Sequence, residues 1–385
     1  MKFTHLNRVL DDLKKDNAFR NARTLTINGY TAKTSEHALI NFSSNDYLGL
    51  AGNTDLQRLF FEQADVCKAN WMSASSSRPL TGTSSAHTHL ETLIAGSYGK
   101  SSALLYNSGY HANTGILPAI TSRQDLVLAD KFVHASLIDG LKLGDAKFKR
   151  FAHNNVDHLA QLLTKYRYDY RDVWIITESV FSMDGDRAPL SELVSLKNQF
   201  QCSLYVDEAH AVGCFGSKGL GLTEELNLVD QVDLIVGTFG KALAGCGGYV
   251  VGDQVLIDSM INFSRSWLFS TAIPPINIEW NVFVWQQLAT LQAERKKLTE
   301  LTGFFKSGLE NCELAYLGQS HIVPVIEAGN ENVVALAHKL EECGVLAMPI
   351  RSPTVAAGSE RIRFSLNANM PISALSHCLD SLNGL

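Results

Sequence analysis

Short apolar, β-branched runs alternate with helical segments through the middle of this chain, and this rhythm constrains the fold most. Six runs are predicted as strands, at 103–106, 126–129, 173–177, 204–206, 234–236 and 248–251. Helical spacing of apolar residues marks segments between them, at 87–97, 156–165 and 190–199. Strands that are apolar on both faces are typical of a parallel sheet buried between helices. The pattern therefore predicts an α/β fold with a mostly parallel sheet flanked by helices.

The two ends of the chain follow different patterns. Residues 1 to about 20 have apolar residues at helical spacing, a β-rich patch follows at 24–30, and 38–42 is strand-like. Beyond residue 275, a long helical segment at 277–309 leads into alternating short strands and helices. We therefore expect three parts: an N-terminal helix and β arm at 1–48, a large α/β domain at 49–276 and a small C-terminal α+β domain at 277–385.

Charge and cysteine content exclude several classes of protein. Lys and Arg number 33 against 39 Asp and Glu, and the net charge of −6 disfavours a nucleic-acid binder. Seven scattered cysteines without a Cys-x-x-Cys pair argue against a disulfide framework or a zinc site and favour a reducing cytoplasm. The first 20 residues are charged throughout, and the most apolar stretch, 232–251, is interrupted by Asp233 and Lys241. We expect a cytoplasmic protein with no nucleic-acid partner and no membrane span.

Some glycine and histidine motifs do not carry the chemistry that they superficially suggest. The segment 237–242 lacks the spacing and the Ser or Thr of a Walker phosphate loop, and 245–248 lacks the third glycine of a dinucleotide fingerprint. His87 and His89 stand two apart on a predicted helix, so they point in different directions and cannot share a metal ion. We expect them to be surface or capping residues, and no metal site is predicted.

Polar or glycine-rich segments follow four of the predicted strands. Asp207 ends one strand and His210 comes three residues later, whereas Lys241 lies in a glycine-rich loop after another strand. The segment 107–110 and His134 follow two more. Residues at the carboxyl ends of parallel strands face the crevice where α/β sheets bind ligands. Taken singly, Asp207 could cap a turn and Lys241 could be a surface lysine, so the combination carries the argument.

Together these residues match the requirements of pyridoxal phosphate. A partly desolvated lysine can form a Schiff base with the carbonyl of the cofactor. A carboxylate keeps the pyridine nitrogen protonated, amides at a helix start bind the phosphate, and an imidazole offers a flat face to the ring. The sequence therefore predicts pyridoxal 5′-phosphate as the cofactor, attached at Lys241 and paired with Asp207.

Eight segments also resemble the α-oxoamine synthases, a family of fold-type I pyridoxal-phosphate enzymes. They occur in the family's order and span nearly the whole chain, at 41–49, 77–83, 107–110, 134–136, 178–185, 206–210, 238–241 and 269–271. The resemblance implies the fold-type I transferase architecture and a homodimer with its site at the subunit interface. One departure is Glu208, where many members carry Asp. We expect that side chain to point away from the cofactor ring.

The segment 350–358, followed by Arg361 and Arg363, most resembles the family members that act in biotin biosynthesis. Their loop usually reads Arg-Pro-Pro-Thr-Val-Pro-x-Gly, so Ser352 and Ala356 replace two prolines here. The resemblance implies an acyltransferase that condenses L-alanine with a pimeloyl thioester and releases carbon dioxide. The thioester would be carried on coenzyme A or on acyl carrier protein.

The resemblance also implies roles for the matching residues. Lys241 and His134 are the expected catalytic residues. The expected cofactor contacts are Gly109, Tyr110, His134, Ser182, Asp207, His210, Thr238 and Lys241, with Ser270 and Thr271 contributed to the phosphate site of the partner subunit. The expected substrate contacts are Arg20, Asn45, His134, Thr354 and Arg363. Arg20 would meet the distal carboxylate of the acyl chain, but Arg23 is close enough to take its place and Thr354 could instead form a turn.

Two other interpretations remain open. Sibling enzymes use other amino acids and acyl chains, and a pocket rejects a missing methyl group by only about 1–3 kcal/mol. They are glycine C-acetyltransferase, 5-aminolevulinate synthase, serine palmitoyltransferase and an autoinducer synthase. A degenerate fold serving as a non-enzymatic binding domain would be expected to lack Lys241, Asp207 or Arg363, and all three are present.

Overall fold

The computed structural model of this chain describes residues 2–34, 37–64 and 70–384, which form two units by their internal contacts. Unit 1 comprises Met1–Gly52, Ser182–Asp186 and Lys296–Leu385, and unit 2 comprises Asn53–Phe181 and Arg187–Arg295. Both ends of the chain therefore belong to one unit, whereas the sequence predicts separate parts at 1–48 and 277–385.

The N-terminal part of unit 1 contains a helix and a small sheet. Its described elements are α1 (Thr4–Lys15), β1 (Thr26–Asn28), β2 (Thr31–Lys33) and β3 (Ala38–Asn41). Lys14 and Lys15 lie in the last turn of α1, where cations favour the negative end of the helix dipole. β1 and β2 pair antiparallel, and Gly29 (φ 56°) permits the tight turn between them. The β-rich patch at 24–30 is thus the first strand and turn of a hairpin.

Unit 2 alternates strands and helices, as the apolar pattern predicts. Its elements in chain order are α2 (Thr54–Gln63), α3 (Ser85–Tyr98), β4 (Ser102–Tyr106), α4 (Gly109–Ile120), β5 (Leu126–Asp130), α5 (Ala135–Leu143), β6 (Lys147–Phe151), α6 (Val156–Tyr166), β7 (Val173–Glu178), α7 (Leu190–Phe200), β8 (Ser203–Asp207), α8 (Leu222–Glu225), β9 (Leu234–Thr238), β10 (Gly248–Gly252), α9 (Gln254–Phe263), α10 (Arg265–Leu268) and α11 (Pro275–Gln287). Shorter turns are the π-helical Arg78–Gly82 and the 3-10 segments Arg167–Asp169, Val229–Gln231 and Leu288–Thr290.

The described residues of unit 2 form a seven-stranded sheet in the order β4-β10-β9-β8-β7-β5-β6. Strands β5 to β9 pair parallel with one another, whereas β10 is antiparallel to both of its neighbours. Every residue of β5, β7 and β9 is buried, as expected for strands covered on both faces. The mostly parallel sheet is therefore confirmed, although the pattern predicts neither the direction of β10 nor the partly exposed edge strand β6.

The C-terminal part of unit 1 contributes to two further sheets. Its described elements are α12 (Gln292–Asn311), which begins in unit 2, β11 (Ile322–Ile326), α13 (Asn330–Glu342), β12 (Val345–Leu346), β13 (Pro349–Ile350), β14 (Arg361–Ser365) and α14 (Ile372–Asn383). β12 pairs parallel with β3, which joins the two ends of the chain in the sheet β1-β2-β3-β12. β11, β14 and β13 form an antiparallel sheet in that order.

The long helix predicted at 277–309 is interrupted in the structure. α11 and α12 are separated by the 3-10 turn Leu288–Thr290. The Arg295 guanidinium donates to the carbonyl oxygens of Leu288 and Ser217, both at 2.9 Å. This buried side chain therefore links the turn after α11 to the loop that contains Ser217. Neither these helices nor any other in the described part of the chain is long and apolar enough to cross a membrane.

Candidate active site

Lys241 lies in the loop between β9 and β10, next to the carboxyl end of β9. Its Nζ atom is 2.8 Å from Nε2 of His210, which follows β8. Main-chain hydrogen bonds from Phe239 N to Gly247 O (3.0 Å) and from Gly245 N to Phe239 O (2.8 Å) close this loop. A lysine that is partly out of water and held beside an imidazole can attach covalently to a carbonyl group.

Asp207, the last residue of β8, is held from two sides. Its Oδ2 accepts a hydrogen bond from Asn113 Nδ2 at 2.8 Å, and its Oδ1 accepts one from the amide of Ala209 at 2.9 Å. Asn113 is itself fixed, because it donates to Ser136 Oγ at 2.9 Å and accepts a bond from the Tyr205 hydroxyl. These side chains are buried, so the network orients the Asp207 carboxylate without help from a ligand.

A second buried carboxyl group lies beside Asp207. Glu178 ends β7, where its register partner on β8 is Asp207, and its Oε1 accepts a hydrogen bond from the His134 amide at 2.5 Å. Burial raises the pKa of Glu178 well above its ordinary value, and the negative charge of Asp207 acts in the same direction. Glu178 is therefore the carboxyl group of this pair that favours its neutral form.

His134 precedes α5 and faces the same cavity. Its Nδ1 lies 2.7 Å from Ser136 Oγ and accepts a hydrogen bond from the Ser136 amide at 3.2 Å. Although the ring reaches solvent, the cavity wall partly desolvates it and lowers the pKa of the imidazole. The positive charge of Lys241 lowers this pKa further, whereas the negative charge of Asp207 opposes both effects. The result is a flat imidazole that favours its neutral form.

The amino end of α4 forms a third wall of the cavity. Gly109 and Tyr110 are the first residues of α4, where backbone amides have no acceptor within the helix. Thr238 adds a hydroxyl from the end of β9 to the same wall. The backbones approach closely, since a Cβ atom on Gly248 would lie 2.7 Å from the Gly109 nitrogen. A helix start of this kind is a binding site for phosphate.

These walls enclose a cavity of ≈ 160 Å³ in unit 2. It is lined by Gly109, Tyr110, Asn113, His134, Ser136, Glu178, Asp207, Ala209, His210, Thr238 and Lys241. The sequence predicts seven of these as site residues but not Asn113, Ser136, Glu178 or Ala209. Asn113 could have been predicted as a site residue from its spacing, because a polar residue one helical turn after Gly109 lies on the same face of α4. An amine, a carboxylate, an imidazole and a phosphate cradle in one cavity fit pyridoxal phosphate by their chemistry.

Arg363 on β14 is a buried cation with neutral partners in unit 1. Its guanidinium donates to Asn45 Oδ1 (3.2 and 3.3 Å), to the Tyr47 hydroxyl (3.2 Å), to Ser365 Oγ (2.5 Å) and to the Ser182 carbonyl (2.5 Å). Across residues 2–34, 37–64 and 70–384, no carboxylate forms an ion pair with it. Because a buried charge without a counter-charge is costly, this arrangement favours the binding of an anion.

The predicted acyl-chain residues Arg20 and Thr354 lie together in unit 1. Arg20 Nη2 donates to Thr354 Oγ1 at 2.6 Å. Arg23, the alternative candidate, instead forms a two-pronged ion pair with Glu341, with N–O distances of 2.6 and 2.7 Å. The amide of Thr354 also bonds to the Arg351 carbonyl at 2.9 Å, so this threonine does form a turn as well. Of the two arginines, Arg20 donates to a neutral side chain and Arg23 to a carboxylate.

The remaining predicted contacts lie outside the cavity lining. Ser182 belongs to unit 1, and its carbonyl is one of the acceptors for Arg363. Ser270 and Thr271 follow α10, and the Thr271 carbonyl accepts a hydrogen bond from Asn107 Nδ2 at 2.7 Å. Their contribution to a partner subunit stays a prediction.

Two residues that the sequence singles out have structural roles. Glu208 accepts hydrogen bonds from the amides of Leu222 (3.1 Å) and Thr223 (2.7 Å) and does not line the cavity, as expected. His87 caps α3, with its Nδ1 atom 2.8 Å from Ser84 Oγ, which confirms the expected capping role. Burial lowers the pKa of His87 to about 4.

Known proteins resemble this chain over most of its length. The profile of the aminotransferase class I and II family matches residues 37–382. The 8-amino-7-oxononanoate synthase of Haemophilus ducreyi is 47% identical over 345 residues, which cover 88% of this chain and 89% of that protein.

Solved structures share the fold as well. Serine palmitoyltransferase from S. paucimobilis, solved with a bound adduct of PLP and myriocin, has a TM-score of 0.90 and 26% identity, covering 100% of this chain and 97% of that one. An 8-amino-7-oxononanoate synthase from Francisella tularensis has a TM-score of 0.76 and 26% identity, covering 90% and 97%. These likenesses confirm the predicted architecture.

Proposed function

Because this chain belongs to the aminotransferase class I and II family, we propose that it is a pyridoxal-phosphate-dependent acyltransferase that makes 8-amino-7-oxononanoate in biotin biosynthesis. Its substrates are L-alanine and a pimeloyl thioester on coenzyme A or acyl carrier protein, and it also releases carbon dioxide and the free thiol. The 47% identity to the H. ducreyi synthase, which extends over 88% of this chain, supports this activity.

The observation that carries the proposal is the single cavity that contains Lys241, His210 and Asp207. When bound there, pyridoxal phosphate supplies an electron sink for the bond broken at the α-carbon of the amino acid. Lys241 would be the amine that holds the cofactor through its carbonyl, and its amino group would move a proton at the substrate α-carbon. His210, at 2.8 Å, holds that amine in place. Asp207, oriented by Asn113, keeps a proton on the pyridine nitrogen.

Other residues bind and orient the cofactor in this proposal. The imidazole of His134 would stack on the ring and help to orient the substrate carboxylate, and His210 would also contact the phenolic oxygen. The remaining contacts are Gly109, Tyr110, Thr238 and Ser182, with Ser270 and Thr271 reaching the site of the partner subunit in a homodimer. The helix start at Gly109 supports the phosphate assignment, because its amides attract anions.

Two arginines bind the carboxylates of the substrates. Arg363, with Asn45, binds the carboxylate of L-alanine, and its burial among neutral partners supports this role. Arg20, with Thr354, binds the distal end of the pimeloyl chain, whereas Arg23 is committed to Glu341. A cytoplasmic location belongs to the same proposal and rests on the scattered cysteines.

The proposal is tested by absorbance titration of the protein loaded with pyridoxal phosphate. L-alanine, glycine and L-serine are added in turn, each followed by pimeloyl-coenzyme A, and thiol release is measured. We expect a change in the cofactor band with L-alanine, and thiol release only when pimeloyl-coenzyme A follows it. A preference for glycine or serine with another thioester would indicate a sibling activity. A protein that develops no cofactor band would contradict the enzyme proposal, with Lys241→Ala as the matched negative control.

A further inference from the structure

Two neighbouring residues of α11, Trp280 and Asn281, donate hydrogen bonds to the loop between β9 and β10. This loop consists of residues 239–247 and is called the lysine loop below. The Trp280 indole donates from Nε1 to the Ala244 carbonyl at 2.9 Å, and the Asn281 amide donates from Nδ2 to the Cys246 carbonyl at 2.8 Å. Both bonds lie within unit 2, although neither α11 residue is among the described residues that line the cavity.

The first of these bonds ends on a residue with a strained backbone. Ala244 has a φ of 49°, in the left-handed region that alanine rarely adopts. Its amide donates to the Lys241 carbonyl at 2.9 Å, so Ala244 closes the turn that begins at Lys241. A strained residue of this kind persists only where the surrounding structure fixes it. Because the Trp280 indole binds the Ala244 carbonyl, it stabilises this turn and thereby acts on Lys241.

The Trp280 ring is itself fixed by two phenylalanines. It packs edge-on against Phe60 of α2, with centroids 5.3 Å apart and an interplanar angle of 88°, and its centroid lies 5.8 Å from that of Phe283. Phe60 and Phe283 also contact each other, with centroids 5.6 Å apart. Aromatic pairs favour defined orientations of their rings. This cluster therefore orients the indole N–H towards the lysine loop before any cofactor is bound.

Asn281 has a feature that packing alone does not explain. The side chain is 1% exposed, and in the described part of the chain its Oδ1 accepts no hydrogen bond. A Cβ atom on Gly245 would lie 2.1 Å from this oxygen, so the lysine loop packs directly against the amide. A buried oxygen without a donor is destabilising, and an apolar residue of the same shape would avoid that cost. The contribution of Asn281 is therefore the bond from Nδ2 to the loop.

We propose that Trp280 and Asn281 are positioning residues that fix Lys241 for attachment of the cofactor. The inference rests on the proposed function, which assigns that attachment to Lys241. Lys241 Nζ lies 2.8 Å from His210 Nε2, and a shift of the lysine loop by about 1 Å would break this contact. A misplacement of about 1 Å can slow a reaction about 100-fold, so two bonds that fix the loop also set the rate of attachment.

The test compares two tryptophans of the same helix. Trp280→Phe removes the indole bond to the lysine loop but keeps an aromatic ring. Trp285→Phe is the matched control, because it removes an indole bond to Ser97 Oγ (3.0 Å) instead. The Trp285 ring also lies beside the loop, with its centroid 6.1 Å from that of Phe239. Both variants therefore shorten a ring next to the loop, and only Trp280→Phe removes a hydrogen bond to it.

The measured quantity is the rate at which visible absorbance of attached cofactor appears after cofactor-free protein is mixed with pyridoxal phosphate. We expect Trp280→Phe to slow this rate at least about tenfold and Trp285→Phe to stay within about twofold of the parent. The midpoints of urea unfolding should fall by similar amounts in both variants, because each loses one indole hydrogen bond. A difference in stability would then not explain the difference in rate.

A double variant tests the role of the strained turn. Glycine adopts a positive φ without strain, so Ala244→Gly should keep the turn in place without the indole. In the Ala244→Gly background, Trp280→Phe should therefore slow attachment by less than about threefold. Loss of general structural support at Trp280 would not be rescued in this way.

Asn281→Leu is an independent variant that also serves if Trp280→Phe does not fold. It removes the unsatisfied oxygen together with the bond to the Cys246 carbonyl, so the midpoint of urea unfolding should change little. Attachment of the cofactor should nevertheless slow by about threefold to tenfold. A positioning residue produces this separation of stability from rate, whereas a residue that only supports the fold does not.

Hydrogen exchange of the cofactor-free protein separates failure of this inference from failure of the proposed function. The Gly245 amide, which donates to the Phe239 carbonyl, should exchange about two- to tenfold faster in Trp280→Phe and at the parent rate in Trp285→Phe. A parent protein that never attaches the cofactor would contradict the proposed function and leave this measurement intact. An unchanged attachment rate in Trp280→Phe, equal slowing in both tryptophan variants, or no rescue in the Ala244→Gly background would overturn the inference.

Discussion

Replacing Asn113 tests whether the buried network around Asp207 is as important as its geometry indicates. Asn113→Ala removes a hydrogen bond to a charged group, which is worth about 1.5–3 kcal/mol, and leaves the buried Tyr205 hydroxyl without its acceptor, which costs about 1–3 kcal/mol more. The free energy of unfolding should therefore fall by about 2.5–6 kcal/mol. Cofactor affinity should fall about tenfold or more, because the Asp207 carboxylate loses the donor that orients it.

Urea unfolding of the cofactor-free protein measures the first quantity, and absorbance titration with pyridoxal phosphate measures the second. Tyr205→Phe is the matched control, because it removes the hydroxyl but keeps the bond from Asn113 to Asp207. It should cost about 1–3 kcal/mol in the free energy of unfolding and leave the cofactor affinity nearly unchanged. An Asn113→Ala protein with the stability and affinity of Tyr205→Phe would refute the reasoning.

Other outcomes follow from the same structure. Lys241→Ala should fold normally but lack the visible absorbance of attached cofactor, and retained synthase activity would contradict its role. Arg20→Ala should raise KM for the pimeloyl thioester roughly 10- to 100-fold by loss of a charge-assisted contact, whereas Arg23→Ala should change KM little and cost about 1 kcal/mol or less of stability, measured by urea unfolding. His87 has a folded pKa of about 4 against an ordinary 6.5, so the unfolded chain takes up this proton first as the pH falls. The contribution of His87 to the free energy of unfolding is thus fully present above pH 6.5 and should decline by roughly 3 kcal/mol towards pH 4. In urea titrations at a series of pH values, His87→Gln should reduce this pH dependence.

The central strands could be predicted because burial on both faces leaves a continuous apolar run. β6 could not, since its sequence Lys-Phe-Lys-Arg-Phe contains no apolar run and its charged residues do not alternate strictly with apolar ones. The direction of β10 is invisible in its composition, because an apolar strand looks the same in either direction. The length of the loop between β9 and β10, however, does indicate the direction of β10. Nine residues (239–247) separate β9 from β10, too few for the helical crossover that parallel neighbours need.

Some residues of the site could also be predicted from sequence motifs, whereas others are identified only by their contacts in the folded protein. Lys241, Asp207 and His134 follow strand ends, where the topology of a parallel sheet brings side chains together. Asn113 lies inside a helix whose neighbouring residues are buried, and its role depends on Asp207, 94 residues away in the chain. No local pattern encodes such a pairing. Glu178 is similar, because its place beside Asp207 depends on the order of β7 and β8 in the sheet.

The hairpin geometry of β9 and β10 has a consequence for the protein before it meets its cofactor. Both strands are interior to the sheet, and their ladder begins at the pair Thr238–Gly248, directly below the loop that carries Lys241. The paired amides of β9 and β10 should therefore exchange with solvent deuterium among the slowest in the chain. Lys241 thus adjoins two strands that should rarely separate. We therefore expect the site to be folded before the cofactor binds, so that binding requires no further folding.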